Sequence, residues 1–543
     1  VMMGLVAGRM RPVEPPGPET AAHAAAVTAA DGAGVRWLLA SAAADYPPLL
    51  RAGARLGRCH DAELTEALLS GYAGRWGEPR ALPAAYARLT GAPVPPDPPP
   101  RHAEPPGHAQ TALFEPAPAA PAELGADPLD ALAAVYSDQR ARIAATEHPG
   151  RFRLLVAAES AGALIGAEMG HEGLPWRADI HDQLLVELLG PPQPVGPPRR
   201  LAELTAEVNA AFGTRGLHPD SPAEVLRAFA RAGVEVPNTR AWVLRGVDHP
   251  AVAPLLEYKE LYRIWTAHGW TWRDAWVRDG RFRPEYVPGG VVSGRWATRG
   301  GGALQVPKVV RRAVVADEGW RFVVADAGQL EPRVLAAVSG DARLAAAGGA
   351  GDLYAALAQQ AFGGDRAKAK VALLGAMYGQ TGGAAVPALN TLRRSYPTAF
   401  EYVEAAARTG EAGGLVRSWL GRTCPPAHAA VREDDGDGPT EDYQGGASGR
   451  ARGRFTRNFV IQATAAEWAL VLLATLRTEL AGMRARLVFF VHDEVVVHCP
   501  ADEAAAVTAA VERSAQRAAE LLFGDTPVRF PLDVSVVRCY ADA

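Results

Sequence analysis

Residues 322–325, Phe-Val-Val-Ala, form an apolar run closed by Asp326. The run reads as a buried strand that ends on a carboxylate, which is costly unless something positive sits beside it. A lone example is most often a satisfied structural Asp. A second such strand makes accident less plausible. In RLVFFVHDEVVVHCP, residues 486–500, His492, Asp493 and Glu494 stand between two hydrophobic strand runs. That pattern is a hairpin with two carboxylates at its tight turn. If both strands belong to one antiparallel sheet, Asp326 and Asp493 can share two magnesium ions. Mg2+ prefers oxygen ligands, and paired ions clamp a phosphoryl transfer.

Three ordered motifs extend this reading. DAGQLEPR, residues 326–333, resembles the form DYSQIELR. VHDE, residues 491–494, is the unaltered third motif. RAKAKVALLGAMYG, residues 366–379, resembles a helix carrying Arg, then Lys four later, then an aromatic, then Tyr-Gly. On these residues the chain resembles the family A DNA polymerases, the bacterial DNA polymerase I type. The resemblance is close over about residues 200–543 and loose before.

The resemblance implies an α+β fold, a right-hand polymerase of palm, fingers and thumb, preceded by an α/β exonuclease-like domain. The expected divisions are 1–195 for the exonuclease-like domain, 196–290 for a helical thumb, 291–338 and 426–543 for the palm, and 339–425 for the fingers. It implies templated DNA synthesis from deoxynucleoside triphosphates on a primer–template, with two Mg2+ ions that Mn2+ can replace. A monomer in a bacterial cytoplasm, at the nucleoid, is expected, acting in replication or repair.

Composition agrees without deciding. A formal net charge of −4 argues against a wholly basic coat but allows local basic clefts. The cysteines at 59, 424, 499 and 539 show neither metal-ligand spacing nor a disulfide framework, as in a reducing compartment. No uncharged apolar run of membrane-spanning length occurs, and the N-terminus does not read as a signal peptide. No membrane partner is expected.

Within the resemblance, Asp326 and Asp493 bind the metals, with the backbone carbonyl of Ala327 as a further ligand. Glu494 either holds a metal through water or braces the turn. His492 is either a turn histidine or a contact to the primer terminus. Glu331 matches the steric gate against a ribose 2′-hydroxyl, or is only a helix-start acid. Gln329 lies in the same substrate-binding motif. Arg333 is expected to brace Glu331 or an active-site acid.

Arg366, Lys370, Leu374 and Tyr378 recur every four residues and share one helical face. Two cations, an apolar side chain and an aromatic on one stripe are odd for a core. They suit a helix along a triphosphate and a base pair, with Lys370 able to protonate pyrophosphate. Leu374 replaces the family's aromatic. Arg295, Thr298 and Gln305 match a DNA-binding loop, and the glycines at 300–302 beside arginines favour phosphate contact. Arg454, Asn458 and Gln462 match a helix face that reads minor-groove acceptors common to all base pairs. In residues 414–425, Gly421 and Arg422 match a hairpin-like stretch, and Thr423 breaks its double Arg.

The first 200 residues are less informative. RFRLLVAAESAGALIGAEMG, residues 151–170, reads as two strands joined at 159–162, between helical stretches at 128–147 and 173–190. Eight prolines in residues 91–107 mark an extended linker. Residues 431–449, with six acids, read as a mobile loop. No Asp-x-Glu falls on a buried strand. Asp61, Glu63, Asp179 and Asp182 read as solvated helix acids, so the exonuclease-like domain is expected to lack proofreading chemistry. A 5′ nuclease domain is not expected, since nothing precedes the first α/β region. The alternative is a weakened homologue that binds primer–template DNA without extending it. An unrelated two-metal nuclease or nucleotidyltransferase explains the acids but not the helix stripe.

Overall fold

The computed structural model describes residues 2–6, 9–12, 21–32, 34–98, 124–379, 385–426 and 449–543. The acidic loop at 431–448 and most of the proline-rich stretch lie outside the described residues. The part that is described, 91–98, has no regular structure.

The chain begins with a four-stranded sheet. β1 (Met2–Val6) lies between β2 (Arg9–Pro12) and β3 (Arg36–Leu39), antiparallel to both, and β4 (Arg58–Asp61) runs parallel to β3. α1 (Ala62–Tyr72) follows β4 directly. Trp37, Leu39, Tyr46 and Leu56 are buried beneath this sheet.

The next element corrects the sequence reading. Residues 149–172 form one unbroken helix, α2 (Pro149–Glu172), not two strands. Pro149 sits at its first turn, where a missing N–H costs nothing. Buried residues run from Phe152 through Leu155, Val156, Glu159, Ala163, Ile165 and Met169. A helix enclosed on nearly every side loses its 3.6-residue polarity, and its apolar run then cannot be told from a strand.

Gly162 and Gly166 of α2 let Pro288 and Tyr286 approach; a Cβ at Gly166 would stand 3.4 Å from Tyr286. Two buried glutamates tie α2 to both halves of the molecule. Glu159 pairs with Arg422 at 2.9 Å, both side chains being enclosed. Glu168 accepts from the Tyr46 hydroxyl at 2.6 Å and from Arg477 Nε at 2.9 Å.

A helical region follows. Ser221 caps the helix Pro222–Arg231 by accepting from Glu224 N at 3.4 Å, with Pro222 in the first turn. This is the start that the Ser-Pro pair predicts. α3 (Val252–His268) packs with it over Val208, Phe229, Leu244 and Leu255.

The second sheet holds the acids. Its strands are β5 (Trp320–Ala327), β6 (Arg486–Val491), β7 (Glu494–Pro500) and β8 (Leu532–Val537), in the order β6-β7-β5-β8, antiparallel throughout. The apolar residues Phe322 to Ala325 are buried, as is the facing run Val495 to Val497. α4 (Leu330–Val338) leaves β5 after a two-residue turn. α5 (Arg366–Tyr378) belongs to a helical layer beside the sheet.

α6 (Gly449–Glu479) and α7 (Ala504–Phe523) complete the structure, and both pack against the core that contains the sheet. α6 carries an 18-residue stretch apolar enough to cross a membrane by length and composition, yet 78% of it is buried inside the protein. That is the behaviour of a core helix.

Candidate active site

The β6–β7 loop is as short as an antiparallel hairpin allows. Val491 pairs with Glu494, leaving only His492 and Asp493 between the strands. His492 takes φ 56°, a conformation that favours glycine. Strain of this kind concentrates at functional sites. Ala327 N donates to the carbonyl of Asp493 at 3.2 Å, which fixes the loop against the end of β5.

The sheet register then assembles the acids. Asp326 stands directly opposite Glu494 on one side and Asp533 on the other. Paired residues of an antiparallel sheet project to the same face. Burial pushes the Asp493 carboxyl up to about 7, helped by the charges of Asp326, Glu331 and Glu494. Burial also raises Asp326, followed by repulsion from Glu494 and Asp533 and opposed by Arg311. Asp533 was missed in the sequence reading. An acid on an edge strand looks solvated until the register sets it beside Asp326.

Such mutual repulsion is what a cation relieves, and the donor set is all oxygen, which fits Mg2+. Among the described residues no three acid, histidine or cysteine side chains converge on one metal position. Mg2+ characteristically takes one or two carboxylates and completes its shell with water and phosphate, so the residues fit.

Glu494 is fastened from behind. Its Oε1 accepts from the Tyr540 hydroxyl and from Arg311 Nη1 at 3.4 Å. Above the acids, Glu331 in the first turn of α4 accepts from the Tyr378 hydroxyl. Burial raises the Glu331 carboxyl, and the Tyr378 hydrogen bond and the Arg295 charge oppose that rise.

α5 shows the predicted stripe. Arg366, Lys370 and Tyr378 are exposed and Leu374 is half-buried, while Ala369, Leu373, Ala376 and Met377 are enclosed on the other side. Arg366 Nε meets Asp352 Oδ2 at 2.7 Å. Asp352 also accepts from Gln329 Nε2 at 2.9 Å, and Leu353 N donates to Gln329 Oε1 at 2.9 Å. Gln329 has φ 61° and joins β5 to the helical layer, so its amide is occupied.

On α6, Arg454 is exposed and Asn458 and Gln462 are half-buried, one four-residue stripe on a helix whose middle turns are largely buried. Asn458 Oδ1 is buried without a hydrogen-bond partner among the described residues. Thr298 lies on the short strand Ala297–Arg299, opposite Tyr286, and Gln305 is exposed at the end of a 3-10 turn.

Two expectations, for Arg333 and Asp61, are corrected. Among the described residues Arg333 makes no hydrogen bond or ion pair with an acid. It is buried and donates to the carbonyls of Gly328, Gly348, Ala350, Gly351 and Arg529 at 2.5–3.2 Å. Gly300, Gly301 and Gly302 all have positive φ, and side chains at the first two would collide with or crowd Trp276 and Phe282, so these glycines also serve packing. Trp272 Nε1 donates to Gly301 O at 2.8 Å in the same cluster.

Asp61 is not solvated. It is buried at the end of β4, capping α1 through Leu64 N at 2.8 Å and accepting from Ala42 N at 2.7 Å. Glu63, Asp179 and Asp182 are paired with Arg80, Arg177 and Arg273.

Comparison with known proteins agrees with this geometry. The model of DNA polymerase family A matches residues 199–539. DNA polymerase I of Chloroflexus aurantiacus is 30% identical over 288 residues, 47% of this chain and 29% of that protein. The thermostable DNA polymerase I of Thermus thermophilus is 29% identical over 334 residues, 55% of this chain and 37% of that one. This chain therefore spans about a third of the length of the curated relatives it matches. The POL domain of Pol1 from M. smegmatis, solved in complex with DNA primer-template and dNTP, superposes with a TM-score of 0.68 at 19% identity. That match covers 91% of this chain and 84% of the other, and it establishes the right-hand α+β architecture of palm, fingers and thumb. A strand-borne acid facing an acid hairpin, beneath a helix with a cationic stripe, thus lies inside a matched region that spans most of the molecule, and the chain belongs to DNA polymerase family A.

Proposed function

We propose that this chain is a DNA-directed DNA polymerase that extends a primer 3′-hydroxyl with deoxynucleoside triphosphates on a DNA template. The observation that carries the reading is the convergence of Asp326 and Asp493 at adjoining strand ends beneath the Glu331–Tyr378 contact. The primer oxygen attacks the α-phosphorus, a new phosphodiester forms, and pyrophosphate leaves.

Asp326 and Asp493, with the carbonyl of Ala327, would hold two Mg2+ ions, or Mn2+, which supply charge neutralisation and polarisation of the phosphoryl oxygens. Arg366 and Lys370 line the phosphates, and Lys370 can give a proton to the departing pyrophosphate. Arg366 leaves Asp352 to do so. Glu331 excludes a ribose 2′-hydroxyl, which would clash with the carboxylate or strand its buried acceptor contact. Leu374 packs on the sugar and Tyr378 stacks at the templating position.

Arg295, Thr298, Gln305 and Arg454 bear on the DNA backbone, and Asn458 and Gln462 on minor-groove acceptors. His492 sits at the loop tip, within reach of a primer terminus. The N-terminal sheet region acts as a scaffold without 3′–5′ exonuclease activity, because Asp61 is spent on capping helices. The enzyme works as a cytoplasmic monomer.

Primer extension by the pure protein tests this reading. Templated, Mg2+-dependent growth of the primer is expected, with no shortening of a mismatched primer. DNA binding without extension would favour the weakened homologue instead.

A further inference from the structure

The acidic hairpin has a partner that the polymerase motifs do not contain. Tyr540 lies beyond β8, in a short 3-10 turn, and is 1% exposed. Its ring packs edge-on against Phe489 of β6, with centroids 5.9 Å apart. The Arg311 guanidinium lies over the same ring at 4.4 Å. The backbone holds this arrangement: Tyr540 N donates to Val314 O at 3.0 Å, and Ala316 N to Arg538 O at 2.8 Å. The hydroxyl donates to Glu494 Oε1, the oxygen that also receives Arg311.

Resting on the polymerase reading, we propose that Tyr540 is a positioning residue for Glu494: with Arg311 it fixes Oε1 and commits the other carboxylate oxygen to the metal site shared with Asp326 and Asp493. A Glu side chain has three rotatable bonds and points freely unless it is restrained. Two donors on one oxygen remove that freedom before any ligand arrives. Pre-ordering a carboxylate lowers the cost of closing a metal shell around it.

The test is Tyr540→Phe, which keeps the ring between Phe489 and Arg311 and removes only the hydroxyl. Mn2+ binding is measured by electron paramagnetic resonance on the full chain with primer–template DNA and no nucleotide. The expected result is a Kd for Mn2+ raised roughly tenfold or more, primer–template affinity unchanged, and kcat lowered more than KM for the nucleotide. In a Glu494→Gln background, Tyr540→Phe should add nothing. An unchanged Mn2+ Kd, or an equal shift in the Glu494→Gln background, would overturn the proposal and leave Tyr540 a packing residue. If Tyr540→Phe fails to fold, Arg311→Lys probes the same oxygen, with the same expected and contrary results. Mn2+ binding is read without chemistry, so an absence of primer extension would count against the polymerase reading alone.

Discussion

The Tyr378 hydroxyl donates to Oε2 of Glu331 across 2.6 Å, joining the cationic-stripe helix to the first acidic motif. The two residues are 47 positions apart, and the contact places the end of α5 over the carboxylates. Whatever sugar enters between helix and sheet meets a carboxylate already held in place. Replacing Glu331 with Ala should therefore admit ribonucleotides. The ratio of kcat/KM for a deoxynucleotide over its ribonucleotide is expected to fall by roughly 10²-fold or more. An unchanged ratio would return Glu331 to a helix-start role.

Asp326→Asn and Asp493→Asn should each reduce extension by about 10³-fold or more while primer–template affinity stays near wild type. Single-turnover extension and a DNA-binding titration measure the two quantities separately. Near-normal extension by either variant would remove that carboxylate from the chemistry.

Leu374 is half-buried on the stripe between Lys370 and Tyr378. It offers apolar contact but no polar group to replace a missing 3′-hydroxyl. Strong discrimination against dideoxynucleotides is expected, relaxed severalfold by Leu374→Tyr, with a modest gain in nucleotide affinity. If Tyr overpacks the site, activity falls and the discrimination ratio does not move.

Glu467 of α6 is fully enclosed, and burial lifts its carboxyl to about 7 against hydrogen bonds from Ser418 Oγ and Leu420 N and the charge of Arg422. A raised folded-state pKa fixes the sign. Below about pH 4 the group is neutral in both states and costs nothing. Between about pH 4 and pH 7 the unfolded chain ionises first and stability drains away. Above that window the loss is constant, on the order of 3 kcal/mol. Glu467→Gln should match wild type near pH 4 and be the more stable protein at pH 8. Denaturant titration at both pH values decides, and equal behaviour at pH 8 would show that the carboxylate is satisfied when charged.

Arg333→Met should destabilise the protein by roughly 3–5 kcal/mol, because five backbone carbonyls share that one guanidinium. Arg333→Lys should recover little, since an ammonium carries fewer donors without the planar fork. The melting temperature reads the effect. A rescue by Lys would mean that charge matters here and fork geometry does not.

The sequence by itself determined the local chemistry. An apolar run closed by Asp326, a hairpin turning on His492 and Asp493, and a four-residue stripe from Arg366 to Tyr378 are each set by neighbours a few residues away. Strand and helix periods carry that information directly. Tertiary structure alone decided the rest. α2 read as two strands because packing on all sides erased its period. Asp533 and Tyr540 gained meaning only when strand register set one beside Asp326 and the other against Glu494. Arg333 reads as a brace for an acid, yet it holds backbone carbonyls, since its partner Arg529 comes from a distant segment. Local pattern reports which face of an element is apolar; it cannot report what arrives to cover that face, and the arriving contacts fix which polar groups remain free for chemistry.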